Sequence, residues 1–279
     1  LLHRREGDLR DAPDAIVLPG SHDDVAAILR WAGAEHVAVI PFGGGTSVVG
    51  GLSPDRSGFP ATIALDLRRM NRLLAVDETS MTATLGPGMR GPEAEAALAP
   101  HGMTIGHLPQ SFQYATIGGF AAARSSGQSS AGYGRFDQMV TALRVATPVG
   151  ELDLGRGPQN AAGPDLRQLI LGSEGAFGVI TAVTVRTRPV PSERWAAGVR
   201  MPSFSEGAAA LRERYRSRLP LTVVRLSDEA ETAINLANPD AIGGESAGGS
   251  LLIIGVEGDA EQVARGRDGA LAILGRHGG

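Results

Sequence analysis

The stretch Val37-Ala-Val-Ile-Pro41-Phe-Gly-Gly-Gly-Thr-Ser47 runs an apolar, β-branched strand straight into three glycines and two hydroxyl residues. Consecutive amides in a glycine-rich turn form a concave nest for anions, and Thr46 and Ser47 add side-chain donors. A diphosphate fits such a nest without any lysine. The Gly-x-Gly-x-x-Gly dinucleotide pattern does not fit here, and Pro54 interrupts the chain where a long helix would have to follow. A nicotinamide site of that type is therefore disfavoured. Taken alone, a Gly-Gly-Gly turn is more often a sharp structural bend than a ligand site.

Working outward, Ala15, Val17 and Leu18 read as a short strand closed by Pro19-Gly20. Ser21 with Asp24 three residues on makes a capping box, and Val25, Ile28, Leu29 and Ala32 follow at helical spacing. Downstream, Thr62–Leu67 reads as a third strand. Residues 13–68 thus form a small β-α-β unit that carries the glycine loop between its second and third strands.

Two further loops have the same character. Pro109-Gln-Ser-Phe-Gln-Tyr-Ala-Thr-Ile-Gly-Gly119 is polar, then apolar, then glycine, and Gly172-Ser-Glu-Gly-Ala-Phe-Gly178 opens a strand. Glycine is abundant, at 39 residues, and clustered beside strand-like runs, which marks tight loops rather than a flexible linker. Three such loops converging on one long ligand with a phosphate-rich middle point to a dinucleotide.

Composition removes many other chemistries. All 26 basic residues are arginine and none is lysine, so P-loop nucleotide hydrolysis and Schiff-base chemistry are excluded. Cys is absent, which excludes disulfides, thiol nucleophiles, iron–sulfur clusters, cysteine-ligated zinc and a cysteinyl flavin. A net charge of −4 argues against a nucleic-acid partner. No apolar run is long enough to span a membrane or reads as a signal peptide. Both ends read as cut from a longer chain. The missing lysine points to a GC-rich bacterial source, and the absent cysteines and signal to the cytoplasm.

From Met70 the texture becomes α+β. Leu73–Val76 and Met81–Leu85 are short strands, Pro92–Leu98 a helix, and Gly106–Tyr133 a long Gly/Ser/Thr-rich stretch. Met139–Thr147 and Glu151–Leu154 form a hairpin, Asp165–Ile170 a short helix and Gly178–Arg188 a strand. Pro189-Val-Pro-Ser192 reads as a boundary. Beyond it strands at Ala196–Met201, Leu221–Leu226 and Leu251–Val256 alternate with helices at Ser205–Arg218, Asp228–Leu236 and Asp259–Arg276, as in a ferredoxin-like cap.

The strings PFGGGTSVVGGL, DLRRMNRLLAVDETSMTATLGPG, GHLPQSFQYATIGGF, RSSG, YG, GPDLRQLILGSEGAFGVIT and RPVP occur in that order. This series closely resembles the vanillyl-alcohol-oxidase or PCMH-type FAD-binding family. Within it the series is most similar to the alkyldihydroxyacetonephosphate synthases of ether-lipid synthesis, from about residue 13 to about residue 236. The resemblance implies an α+β fold: FAD-binding subdomains at 13–68 and 69–190, followed by a partial ferredoxin-like cap at 191–279. It implies non-covalent FAD, since Cys is absent and the first loop lacks the His that attaches flavin in covalent relatives.

By resemblance, Pro41, Phe42, Gly43, Gly44, Gly45, Thr46 and Ser47 bind the diphosphate. Pro109, Gln110, Ser111, Phe112, Gln113, Tyr114, Ala115, Thr116, Gly118, Gly119, Ala123, Arg124, Ser125 and Ser126 line the flavin and its ribityl chain. Glu174, Gly175, Ala176, Phe177, Gly178, Val179 and Ile180 meet the isoalloxazine or adenine end. Gln110 departs from the acidic residue usual in the synthases.

His107, in Gly-His-x-Pro, is the candidate proton carrier near the flavin; its alternative is a structural His bonded to a nearby carbonyl. Arg225, in Arg-Leu-x-Asp, is the candidate to hold a substrate phosphate or carboxylate; its alternative is an ion pair with Asp228. Arg124 stands in Arg-x-Ser-Gly, where many hydroxy-acid dehydrogenases have Asn-x-Gly-Gly; its alternative is a partner for a surface acid. His3, His22, His36, His101 and His277 read as surface residues without metal-ligand spacing.

Three activities follow as expectations. The first is a synthase-like transferase exchanging an acyl chain for a fatty alcohol. The second is an FAD-dependent 2-hydroxy-acid dehydrogenase or oxidase. The third is a flavin-binding module without chemistry of its own. The expected substrate is a small molecule or lipid, with peripheral membrane contact and homodimer formation compatible with the family.

Overall fold

The computed structural model describes residues 12–53, 58–155, 157, 161–235 and 248–279. His3, Pro54 and Leu236 lie outside them. The chain divides into two compact units, Leu1–Gly127 with Arg135–Pro189, and Gln128–Gly134 with Val190–Gly279.

In chain order the elements run β1 (Ala15–Val17), α1 (His22–Ala34), β2 (Ala38–Phe42), β3 (Thr62–Asp66), β4 (Leu73–Asp77), β5 (Thr82–Leu85), α2 (Gly91–Leu98) and β6 (Met103–Thr104). Then come α3 (Ile117–Ala122), α4 (Ser130–Tyr133), α5 (Phe136–Met139), β7 (Val140–Thr147), β8 (Gly150–Leu154), α6 (Arg167–Ile170), β9 (Val179–Arg186) and β10 (Arg188–Pro189). The last are β11 (Glu193–Met201), α7 (Phe204–Ser217), β12 (Val223–Leu226), α8 (Glu229–Asn235), β13 (Ser250–Gly258) and α9 (Ala260–Arg276).

The first unit holds two main sheets. One is parallel, in the order β1-β3-β2, and the other is antiparallel, in the order β4-β5-β9-β7-β8. Helix α1 begins at the Ser21 cap, where Asp24 N donates to Ser21 Oγ at 3.1 Å and the Asp24 carboxylate accepts from Ser21 N. Its buried face, Val25, Ala26 and Leu29, packs with Leu65 of β3 and with Ala146 and Val179 of the antiparallel sheet. The helix is therefore shared by both sheets. Burying a side chain such as the fully enclosed Leu65 contributes about 1.5–3 kcal/mol. This common core is why residues 13–68 and 69–189 form one unit.

In the second unit the antiparallel sheet β11-β13-β12 carries α7 and α9 over a core of Met201, Ala210, Leu252, Ile254, Val263 and Ile273. The boundary falls after Pro189, within the predicted Pro189–Ser192. One placement is corrected. Gln128–Gly134, read as flavin-subdomain sequence, belongs to the second unit, because Gly132 packs against the Leu221–Thr222 backbone so closely that a Cβ there would lie 2.8 Å from Thr222 Cα.

Candidate functional site

Three glycine-bearing loops meet in the first unit. The first leaves β2 at Pro41–Phe42, whose ladder with β3 ends at Phe42↔Asp66. Gly43 and Gly44 then pass directly over the second loop. A Cβ on Gly43 would lie 2.4 Å from Thr116 Oγ1, and one on Gly44 would lie 2.1 Å from the Tyr114 carbonyl oxygen. Gly45 turns with φ +66°, a conformation that favours glycine. The third loop closes from the other side: Gly175, at φ +91°, sits against the Pro41 ring, and the Glu174 carboxylate reaches the Gly51 backbone.

The second and third loops are fastened together. Gly172 N donates to Ala121 O at 3.2 Å and Glu174 N to Ala122 O at 3.1 Å. Arg124 spans the same junction, donating Nε to Leu171 O at 2.8 Å and Nη2 to Gln168 O at 2.9 Å. Arg124 and Glu174 both hold positive φ, at +49° and +51°. Non-glycine residues in that region cost about 1 kcal/mol or more, so these bonds hold both in place.

Between the loops lies a cavity of about 320 Å³, with a smaller adjoining one of about 70 Å³. Pro41, Gly43, Gly44, Gly45, Thr46, Ser47, Ser111, Ala115, Thr116, Gly119, Ala123, Ser125 and Glu174 line the larger. Phe42, Gly118, Gly175, Gly178 and Ile180 line the smaller. Among the described residues, nothing in the protein accepts a hydrogen bond from the amides of Gly43, Gly44, Gly45, Thr46 or Ser47. Five consecutive free donors beside a cavity fit a diphosphate. Among the described residues Glu174 is the single charged side chain on the larger wall, and a carboxylate suits a sugar or ribityl hydroxyl rather than a phosphate.

Several expected contacts do not line either cavity. Pro109 is buried, and the Phe112 ring covers Gly91. Gln110, Gln113, Tyr114, Ser126, Ala176 and Phe177 are exposed. Val179 belongs to the core around α1. Arg124 is spent on carbonyls and lies 3.5 Å from the buried Asp137 carboxylate. Conversely Val48, Val49, Leu52 and Phe120 line the larger cavity, and Leu67, Pro87 and Ser173 the smaller. Gly50-Gly51 was the available signal for the first of these.

His107 lies one residue behind the wall. It is 2% exposed, wedged between Phe120 at 4.9 Å and Phe136 at 5.1 Å between ring centroids, and its Nε2 is 3.0 Å from Ser125 Oγ. Its Nδ1 is buried without a partner. Burial lowers its pKa to about 4, so the ring is neutral at pH 7. A ring with that pKa does not titrate near neutrality, where the expectation placed it, and among the described residues its one polar contact is Ser125 Oγ. Arg225 pairs not with Asp228 but with Glu231, at 2.5 Å, because Asp228 caps α8 by accepting from Glu231 N.

His22 is also corrected. It is buried, with Nδ1 2.6 Å from Thr181 Oγ1 and Nε2 2.9 Å from Glu151 Oε2, a close approach though off the angle of a good hydrogen bond. His22, Asp23 and Glu151 cluster, but Arg144 lies 3.0 Å from Glu151 and supplies the positive charge there.

Comparison with known proteins gives the same picture. Residues 13–154 match the FAD binding domain family and residues 190–279 the C-terminal domain of FAD linked oxidases. The chain is 38% identical over 237 residues to the alkyldihydroxyacetonephosphate synthase of Dictyostelium discoideum, covering 85% of this chain and 39% of that protein. It is 39% identical over 236 residues to the synthase of Trypanosoma brucei brucei, covering 84% and 38%. A solved alkyldihydroxyacetonephosphate synthase structure superposes with a TM-score of 0.89 at 35% identity, covering 99% of this chain and 53% of that one. The chain thus spans 38–39% of the length of these two curated relatives. No helix among the described residues is long and apolar enough to cross a membrane.

Proposed function

The chain belongs to the FAD-binding domain family, and on that premise we propose that it is the flavin-holding part of an alkyldihydroxyacetonephosphate synthase-like transferase, which exchanges an acyl chain for a fatty alcohol. The observation that carries the reading is the run of five free amides, Gly43–Ser47, laid against Thr116 and within reach of Glu174. Those amides hold the diphosphate; Ser111, Thr116 and Ser125 offer hydroxyls along the chain of the cofactor; Glu174 accepts from a sugar hydroxyl. Bound FAD supplies the electron-accepting ring that the exchange requires. The protein contributes binding and orientation, and His107, neutral and fixed by two aromatic rings, keeps the Ser125 hydroxyl in one orientation. On this reading the substrate is a phosphate-bearing lipid met at a membrane surface, and the enzyme is cytoplasmic.

The test is an assay of the full-length enzyme. Purified protein loaded with FAD is given acyl-dihydroxyacetonephosphate with a long-chain alcohol and, separately, a panel of 2-hydroxy acids with an artificial electron acceptor. Ether product without net flavin reduction supports the transferase. Oxidation of a hydroxy acid with no ether product replaces it with a dehydrogenase, and flavin binding with neither activity leaves a binding module.

A further inference from the structure

A second cavity, of about 710 Å³, lies wholly within the second unit and has no part in the flavin site. Four arginines line it: Arg214 and Arg216 in the last turn of α7, Arg218 just after it, and Arg265 on α9. Among the described residues the one acid on its wall, Glu257, is already engaged, accepting from the Tyr133 hydroxyl at 2.6 Å and pairing with Arg194 at 3.0 Å. Among the described residues Arg216, Arg218 and Arg265 have no acidic partner. Arg214 donates Nη2 to Leu221 O at 2.9 Å, while its Nε is buried without a partner. Burial also holds this guanidinium below its ordinary pKa, so it gains from a nearby anion.

Arginines at a helix C-terminus are attracted to the carbonyl end of the helix dipole, which accounts for Arg214 and Arg216. It does not account for Arg265, which reaches the same space from another helix, nor for a cavity between them. Guanidinium forks match phosphate oxygens in pairs, and unpaired ones lining a concave, partly apolar space are how proteins select phosphate esters. Leu219, Leu221 and Val256 form an apolar wall for a carbon body, and the volume is within the roughly 300–1,000 Å³ of small-ligand sites.

We propose that this arginine-lined cavity binds a phosphate monoester, with Arg216, Arg218 and Arg265 meeting the phosphate and the Leu219–Leu221 wall meeting its carbon body. The phosphate belongs either to a free metabolite or to a lipid headgroup, and the two are separable. The full-length, FAD-loaded protein is titrated calorimetrically with inorganic phosphate and glycerol 3-phosphate. In parallel it is floated with phosphatidylcholine vesicles with and without phosphatidic acid. Arg216 and Arg265 are both exposed, so R216Q/R265Q should fold, which an unchanged flavin spectrum and melting temperature check.

Saturable binding that this variant weakens by about tenfold or more, and that added salt weakens further, is the expected result. Binding to the soluble esters indicates a metabolite, and capture only by phosphatidic acid vesicles a headgroup. No saturable binding of any probe, or equal binding by the variant and the parent protein, overturns the proposal.

Discussion

His107 Nε2 lies 3.0 Å from Ser125 Oγ, and that hydroxyl residue stands on the wall of the glycine-loop cavity while the histidine does not. The imidazole reaches the site through Ser125 and through its packing on Phe120, which lines the same cavity. Replacing His107 with Asn removes the orienting contact and the edge-to-face packing on Phe120, yet leaves the glycine loops intact. The variant should keep flavin but lose turnover. Ser125→Ala should lose a similar amount, and the double variant should cost little more than either, because both changes break one coupling. Full additivity of the two losses, measured as kcat/KM, would defeat the positioning role.

The same histidine makes stability depend on pH. In the folded protein it takes a proton only near pH 4, against about 6.5 when unfolded. Between those values the unfolded chain binds more protons, so stability falls as pH drops from 6.5 towards 4. The loss from this one group reaches about 3 kcal/mol at the lower end. Thermal melts at half-unit pH steps should therefore show a gentler acid slope in His107→Asn than in the parent protein. Parallel slopes would mean that the buried ring does not titrate as described.

Gly44 and Gly50 allow a controlled comparison. A methyl on Gly44 meets the Tyr114 carbonyl oxygen at 2.1 Å and Ala115 Cα at 2.7 Å, both backbone atoms that cannot step aside without moving the second loop. Gly50, at φ +81°, has nothing within 4 Å. Gly44→Ala should cost about 1–3 kcal/mol and abolish flavin binding, whereas Gly50→Ala should cost about 1 kcal/mol and leave flavin bound. Flavin content per protein after gel filtration, together with the melting temperature, decides it. Full flavin content in Gly44→Ala would show that the first two loops need not touch.

What the sequence made legible was whatever local chemistry controls. The Ser21–Asp24 box needs only four consecutive residues, and the glycine loops announce themselves because backbone geometry, not side-chain contact, makes them work. What stayed hidden depends on distant partners. His22 looks like a surface residue at a helix start, but Thr181, 159 residues away, draws it inside. Asp228 seemed the natural partner of Arg225, but its carboxylate is taken by a helix cap, leaving Glu231. Gln128–Gly134 carries no signal that it joins the second unit; the close approach at Gly132 and the Tyr133–Glu257 hydrogen bond reveal it.

Arg124 connects the second loop to the third, and its value is geometric. Its fork satisfies two carbonyls, Leu171 and Gln168, and its stem packs on Gly172, which holds φ +81°. Lysine at this position keeps the charge but cannot reach both carbonyls from one planar group. Arg124→Lys should therefore weaken FAD binding about tenfold while the fold survives, since Asp137 retains Arg135 at 2.8 Å. Fluorescence quenching of added FAD by apoprotein measures this. An unchanged dissociation constant would show that the Ser173–Gly178 loop holds its shape without the clamp.

The attachment of the flavin provides the last prediction. Covalent linkage needs a nucleophilic side chain beside the isoalloxazine ring. The chain has no Cys, and among the described residues no His and no Tyr lines either glycine-loop cavity. Among the described residues the polar groups that line them are backbone amides, hydroxyls and one carboxylate, all of which hold a cofactor by reversible bonds. Acid precipitation or boiling should accordingly release all the yellow colour into the supernatant, as FAD by mass. The same logic makes binding tolerant of salt, since the chain has no lysine and among the described residues no arginine lines the larger cavity, which leaves little charge attraction to screen. Colour that stays with the precipitate, or flavin lost on raising salt alone, would show that a group other than the Gly43–Ser47 amides holds the cofactor.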